Sequence, residues 1–264
     1  MTPDQPRQPA PAIWFDAVHP PAPQRAHAPE PLSRERIVAA AMALADAEPH
    51  GEITMRALAA RLGVRSPMAL YRYVGSKHGL ADLMMDEVFG LVDVRRGAGW
   101  RAALRSLGLS GWAAVQRHPW FARLAFARPP LGPNALAVYD AAFAELEPLG
   151  LPAAAVGGSV NTVLGHVFGS GLALLEENAM RARSGVVNDE QLTEAVRPYL
   201  ASIAASGRYP HFSRWAADPT RLDPPPQSFE QILEWLLDGL ATVGATPGAA
   251  AGAAADPAPQ DCAP

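Results

Sequence analysis

The chain has 264 residues, 49% of them hydrophobic, enough for one or two domains with a packed core. A net charge of −4 excludes a generally basic, DNA-coating protein and leaves room only for a local basic footprint. The single cysteine, Cys262, excludes a disulfide framework and a Cys-based metal site, and a reducing cytoplasm is the expected compartment.

Residues 1–31 carry nine prolines, which forbid a helix and leave little to bury, so a disordered arm is expected there. This arm lacks the basic stretch, apolar run and cleavage site of a signal peptide. Its one apolar cluster, Ile13-Trp14-Phe15, reads as an isolated scrap or a docking motif. The Ala/Gly/Pro-rich tail, residues 245–264, reads as a second disordered segment.

Between the tails the pattern is helical throughout, and no alternating β-branched run signals a strand. Ser33 is placed to cap a first helix through Ile37, Ala41, Leu44 and Ala45, ended by Pro49-His50-Gly51. Thr54 caps a second, short helix with Leu58, Ala59 and Leu62 inward, and Gly63 stops it. A third is expected over about Ser66 to Tyr73, and Ser76 caps a fourth through Leu80, Leu83, Met84 and Val88. Later helices are expected over about 100–117, 119–127, 133–149, 152–182, 190–205 and 228–243, several opening on proline at the first turn. Loops are expected at 185–189 and 218–227. The expected architecture is all-α, with 32–79 as a three-helix domain and 80–244 as a second helical domain.

Residues 153–175 hold no Asp, Glu, Lys or Arg, long enough to span a bilayer. Ser159, Asn161, Thr162, His166 and Ser170 dilute them and no basic flank or aromatic belt brackets them, so a helix buried on all sides in a bundle is expected.

Residues 54–78 contain Arg56, Arg61, Arg65, Arg72 and Lys77 and no acid, a local basic patch in an acidic chain. Two short helices joined through Leu62-Gly63-Val64 have the helix-turn-helix form, the first crossing the DNA backbone and the second lying in the major groove. The helix N-terminus at Thr54 offers N–H groups and a hydroxyl to a phosphate, and Lys77 reaches another. Arg65 and Ser66 lead the second helix toward base edges, with Pro67, Met68 and Ala69 set to meet thymine methyls. Tyr71 and Tyr73 offer hydroxyls to the backbone. A threonine before a helix is often merely a cap, and surface arginines are often merely solvated; the ordered set carries the reading.

Arg56 to Val64, then Leu70-Tyr71-Arg72-Tyr73-Val74, then Lys77 and Leu80, resemble the TetR/AcrR family of bacterial regulators over about residues 33–90. The resemblance implies homodimers that bind palindromic operator DNA and release it when a small molecule binds. Arg65 to Ala69 number five where the family commonly has four, so the recognition helix is expected to start a residue early or to carry a bulge. Arg128 to Pro133, Val163 to His166 with Leu174 to Glu176, and Phe229 to Leu240 resemble the C-terminal domain of the tetracycline-repressor branch. That resemblance implies a four-helix dimer bundle made by the helices from Pro152 and Ser228. On the residues' own terms, Gly158, Thr162, Gly165 and Gly169 form one small-residue face, and Ile232, Trp235, Leu236 and Leu240 an apolar stripe.

A ligand pocket among these helices would draw on Trp100, Trp112, Trp120, Phe121, Phe126, Tyr139 and Phe168, with Asn161 and His166 as polar members, although each also reads as core or interface packing. Tetracycline repressors hold their drug through magnesium on a histidine. The matching stretch, Leu124 to Arg128, has none, so an apolar or aromatic effector and no metal or other cofactor are expected. His118, His166, Glu176 and Glu177 belong to no catalytic motif, which speaks against an enzyme. An architectural DNA-binding protein would be generally basic, and activation in place of repression stays open.

Overall fold

The structure is a computed structural model and describes residues 32–49, 51–185, 188–218 and 228–243. The expectations for the N-terminal arm with Ile13-Trp14-Phe15, for the tail with Cys262, and for most of the 218–227 loop lie outside these residues. Eleven α-helices and no strand occur among the described residues. They are α1 (Arg34–Ala47), α2 (Met55–Arg61), α3 (Met68–Val74), α4 (Lys77–Phe89), α5 (Trp100–Arg117), α6 (Trp120–Ala127), α7 (Pro133–Leu146), α8 (Ala153–Ser184), α9 (Asp189–Ala205), α10 (Pro210–Ala217) and α11 (Phe229–Val243).

The caps act as their chemistry dictates. The Ser33, Thr54 and Ser76 hydroxyls accept from the backbone N–H of Arg36, Ala57 and Gly79 at 3.2, 3.1 and 2.9 Å. The expected helix over 133–149 ends at Leu146 and tightens into a 3₁₀ turn, Glu147–Leu149. Helix α10 is an element the sequence reading missed, although Pro210 stands at its first turn and Phe212 and Trp215 share one face. It packs against α9.

One hydrophobic cluster runs through the molecule, from Ile37 on α1 to Leu237 on α11. Helix α4 is the joint. It packs on α1 and α3 on one side and on α5, α6 and α7 on the other. Helix α8 is the spine of the second half and touches α5, α6, α7 and α11. Its approach to α5 and α6 requires Gly171, where a Cβ would lie 2.2 Å from Val115 Cγ1 and 3.1 Å from the Ala122 methyl.

The expectation that α8 is buried all round is corrected. It is long and apolar enough to cross a membrane by composition, and 44% of its most apolar window is buried in the fold. Gly158, Asn161, Thr162 and Gly165 on its other side are exposed, and a Cβ at Gly158, Gly165 or Gly169 would meet nothing within 4 Å. The alternation comes from period: the buried set Val160, Val163, Leu164, Val167 and Phe168 occupies one stripe of a 3.6-residue helix, leaving the glycine stripe outside.

Buried polar groups tie the two halves together. Arg128, just after α6, donates to both carboxylate oxygens of Asp82 on α4, with Nη2 to Oδ2 at 2.8 Å. Asp86, one turn on, accepts from the backbone N–H of Ala135 at 2.9 Å and of Asn134 at 3.3 Å, capping α7. Burial raises the Asp86 carboxyl above its ordinary 3.8, and those two N–H donors offset only part of the rise. The folded state therefore holds this proton more tightly than the unfolded chain, and stability falls as pH rises through the raised value. Compared at pH 4 and pH 7 by urea unfolding, wild type is expected to lose ground relative to Asp86→Asn as pH rises. A difference independent of pH would contradict this assignment.

Candidate nucleic-acid interface

Helices α2 and α3 are joined by a tight turn at Gly63, whose φ of +69° lies in the left-handed region that side chains resist. Val64 N–H closes the turn on Ala59 C=O at 2.9 Å. A Cβ at Gly63 would meet nothing within 4 Å, so only backbone strain opposes substitution. Gly63→Ala is expected to lower stability by about 1 kcal/mol, read as a shift in urea midpoint, and to weaken DNA binding by re-aiming α3.

The extra residue before Leu70 is absorbed ahead of the helix and produces no bulge. Helix α3 starts at Met68, not at Ser66, with Pro67 as its N-cap. Two tight bonds, Ala69 N–H to Ser66 C=O at 3.1 Å and Leu70 N–H to Pro67 C=O at 3.0 Å, wind the segment in. The Ser66 hydroxyl accepts from Met68 N–H at 3.3 Å. Leu70 and Val74 are wholly buried against the core, and the rings of Tyr71 and Tyr73 are half-buried against it. The opposite side is the outer face: Arg65, Ser66, Met68 and Arg72 are exposed, Met68 to 69%, with Pro67 and Ala69 half-buried beside them. An exposed methionine at the start of a short helix has no packing role there and is available for contact.

Thr54, Arg56 and Arg61 are exposed along α2. The Thr54 oxygen caps Ala57, so the structural role is real, and its hydroxyl proton remains available to a phosphate. The orientation of α3 is held from behind by Arg34 on α1, whose Nε donates to Tyr73 C=O at 3.0 Å. Lys77 is exposed but paired with Glu52, which it holds below the ordinary glutamate range. The acid-free window of 54–78 hid this partner, because Glu52 stands two residues before it and the fold brings them together.

The residues expected at the pocket fall into several separate contact groups. Phe121 and Phe168 pack edge to face at 5.4 Å, with Phe89 against both, and Phe126, 57% exposed, meets Phe168 at 6.2 Å. His166 and Trp112 sandwich Phe229 at 4.4 and 4.7 Å, and His166 Nε2 lies 3.2 Å from Phe229 C=O, so this group pins α11 to α8 and α5. Tyr139 donates to Asn161 Oδ1 at 3.3 Å between α7 and α8. Trp120 Nε1 and His118 Nδ1 both contact Asp46 Oδ1, at 2.7 and 2.8 Å, tying α6 to α1. Trp100 is half-buried at the start of α5. Sequence spacing cannot separate these groups, because aromatics on different helices share no register.

The polar residues weighed for catalysis are likewise in structural contacts. Glu176 pairs with Arg123 and Glu177 with Arg181, each at 2.6 Å. No cluster of three metal-ligating side chains occurs among the described residues.

Helix α11 presents two stripes. Phe229, Leu233 and Leu237 are buried inward, while Ile232, Leu236 and Leu240 are half-buried and Trp235 is 51% exposed. The outward stripe lies on a helix packed beside α8.

An N-terminal helix-turn-helix with an exposed basic face, carried on a larger helical body, defines a DNA-binding regulator of transcription. Residues 95–243 match the family described as tetracyclin repressor-like, C-terminal domain. The HTH-type transcriptional repressor DrrR1 of Streptomyces coeruleorubidus is 35% identical over 217 residues, 80% of this chain and 78% of its own. An HTH-type transcriptional regulator of Saccharopolyspora erythraea is 32% identical over 78% of this chain and 88% of its own. The crystal structure of Streptomyces coelicolor ActR in complex with actinorhodin matches with a TM-score of 0.66 and 25% identity, covering 82% of this chain and all of that one. The chain belongs to the TetR family of helix-turn-helix transcriptional regulators.

Proposed function

We propose that the protein is a homodimeric repressor, soluble in the cytoplasm, that binds a palindromic operator and leaves it when a small apolar or aromatic effector binds the helical body. The observation that carries the DNA half is the outer face of α2 and α3. Arg56 on α2, Arg65 in the turn, and Met68 and Arg72 on α3 all stand exposed, while Leu70 and Val74 on the opposite side of α3 are buried in the core. Residues 32–79 serve as the reading head and 80–244 as the sensing and dimerising body. The uncovered glycine face of α8 and the outward stripe of α11 support a two-fold four-helix contact, since small residues let helix backbones approach closely. Release by an effector draws support from ActR, solved with actinorhodin bound. Phe126, which is exposed beside the buried Phe168, and Tyr139 with Asn161 are the members of these groups an effector would meet first.

The test is fluorescence anisotropy with the protein's own promoter region. Binding is expected to weaken steeply with salt, the log–log slope reflecting the released counterions. Tyr71→Ala combined with Lys77→Ala is expected to abolish it while the dimer survives. Operator binding that tolerates both changes, or ignores salt, would overturn the placement of the interface.

A further inference from the structure

A cavity of about 200 Å³ opens where the reading head meets the body, away from the aromatic groups between α8 and its neighbours, apart from Trp120. Ile53, Leu80, Ala81 and Met84 form its wall on one side, and Trp120 and Leu124 of α6 its wall on the other. The Trp120 indole is fixed edge-on by Asp46, so that wall is in place before anything binds. Lys77, Glu52 and Arg123 are its charged lining residues.

We infer that this junction cavity is a second small-molecule site, and that it takes a compact aromatic acid of one or two fused rings. The volume fits that size, and a thioether beside an indole favours a flat ring. The acid is selected by Lys77. Its partner Glu52 is 79% exposed on a loop, a pair of the kind that contributes little, so a carboxylate held by the apolar walls displaces it readily. The ammonium that meets such a ligand is the one assigned to a DNA phosphate, and it cannot serve both. An occupant therefore lowers operator affinity from a place other than the effector groups of the body. Binding itself is independent of the repressor reading; the consequence for DNA rests on it.

The experiment titrates the full-length protein, without DNA, with 2-naphthoate and with the neutral 2-naphthol by isothermal calorimetry. Saturable binding of naphthoate is expected. Ala81→Phe and Ile53→Trp, which fill the cavity from different elements, are each expected to weaken it at least about tenfold, with thermal melts reporting that the fold is retained. Lys77→Gln is expected to weaken naphthoate about fivefold and naphthol less than about twofold. Absence of binding at millimolar ligand, or binding unchanged in both filled variants, overturns the site. Equal loss of acid and phenol in Lys77→Gln overturns the acid preference. Operator anisotropy then reads the consequence: naphthoate weakens wild-type binding and leaves Ala81→Phe unaffected. Naphthoate bound at the cavity without effect on operator affinity overturns the competition for Lys77, whereas failure to bind any operator fails the repressor reading and leaves the site standing.

Discussion

Arg128→Ala is expected to destabilise the protein by about 3–5 kcal/mol, because it strands a carboxylate inside the fold. Asp82 is 10% exposed and Arg128 21%, and the guanidinium faces both carboxylate oxygens. Removing the cation leaves Asp82 without this partner in a place where water cannot take over its role. Asp82→Ala with Arg128→Ala removes the stranded charge as well and is expected to recover part of the loss. A urea-denaturation cycle at equal protein concentration measures the coupling. Additive losses would mean that the pair is solvated and contributes little. The pair also has a mechanical consequence: with Asp86 and the Asp46 contacts, it fastens both ends of α6 and the start of α7 to the helices that carry the reading head.

Gly165→Glu is expected to leave the single chain folded and to abolish dimerisation. A Cβ there would meet nothing within 4 Å among the described residues beyond its own helix turn, and glutamate is a better helix former than glycine by somewhat under about 1 kcal/mol. Any loss must therefore come from whatever covers that face. Light scattering is expected to fall from twice 27.9 kDa to one chain, and operator affinity to fall on the order of 100-fold as the two half-sites lose their linkage. A mass and affinity like wild type would remove the glycine face from the interface. Gly171→Ala is the informative contrast, since its methyl is driven into Val115 and overpacking there damages the fold itself.

Much of the reading head was legible because its signals are local. Ser33, Thr54 and Ser76 cap within three residues, Gly63 turns the chain by its own conformational freedom, and Leu58 and Leu70 fall inward by helical period. The start of α3 was misjudged because Pro67 takes the N-cap and Ser66 folds back on Met68 N–H, a choice between adjacent starts that propensity does not separate. Helix α10 was missed because it is only eight residues long, although Pro210 opens it and Phe212 and Trp215 share one face.

The sequence by itself determined the all-helical class, the caps and turns, the position of the basic face, and the glycine periodicity of α8. These depend on neighbours within a few residues, and backbone geometry enforces them wherever the segment lies. Only the tertiary structure decided which side of α8 is covered, how the aromatics divide into separate groups, and that Glu52 answers Lys77. It also placed Asp46, Asp82 and Asp86 as the ties between the reading head and the body. Those outcomes depend on contacts between residues dozens of positions apart. A charge or ring carries no mark of its distant partner until the packing of apolar faces has brought the two within reach.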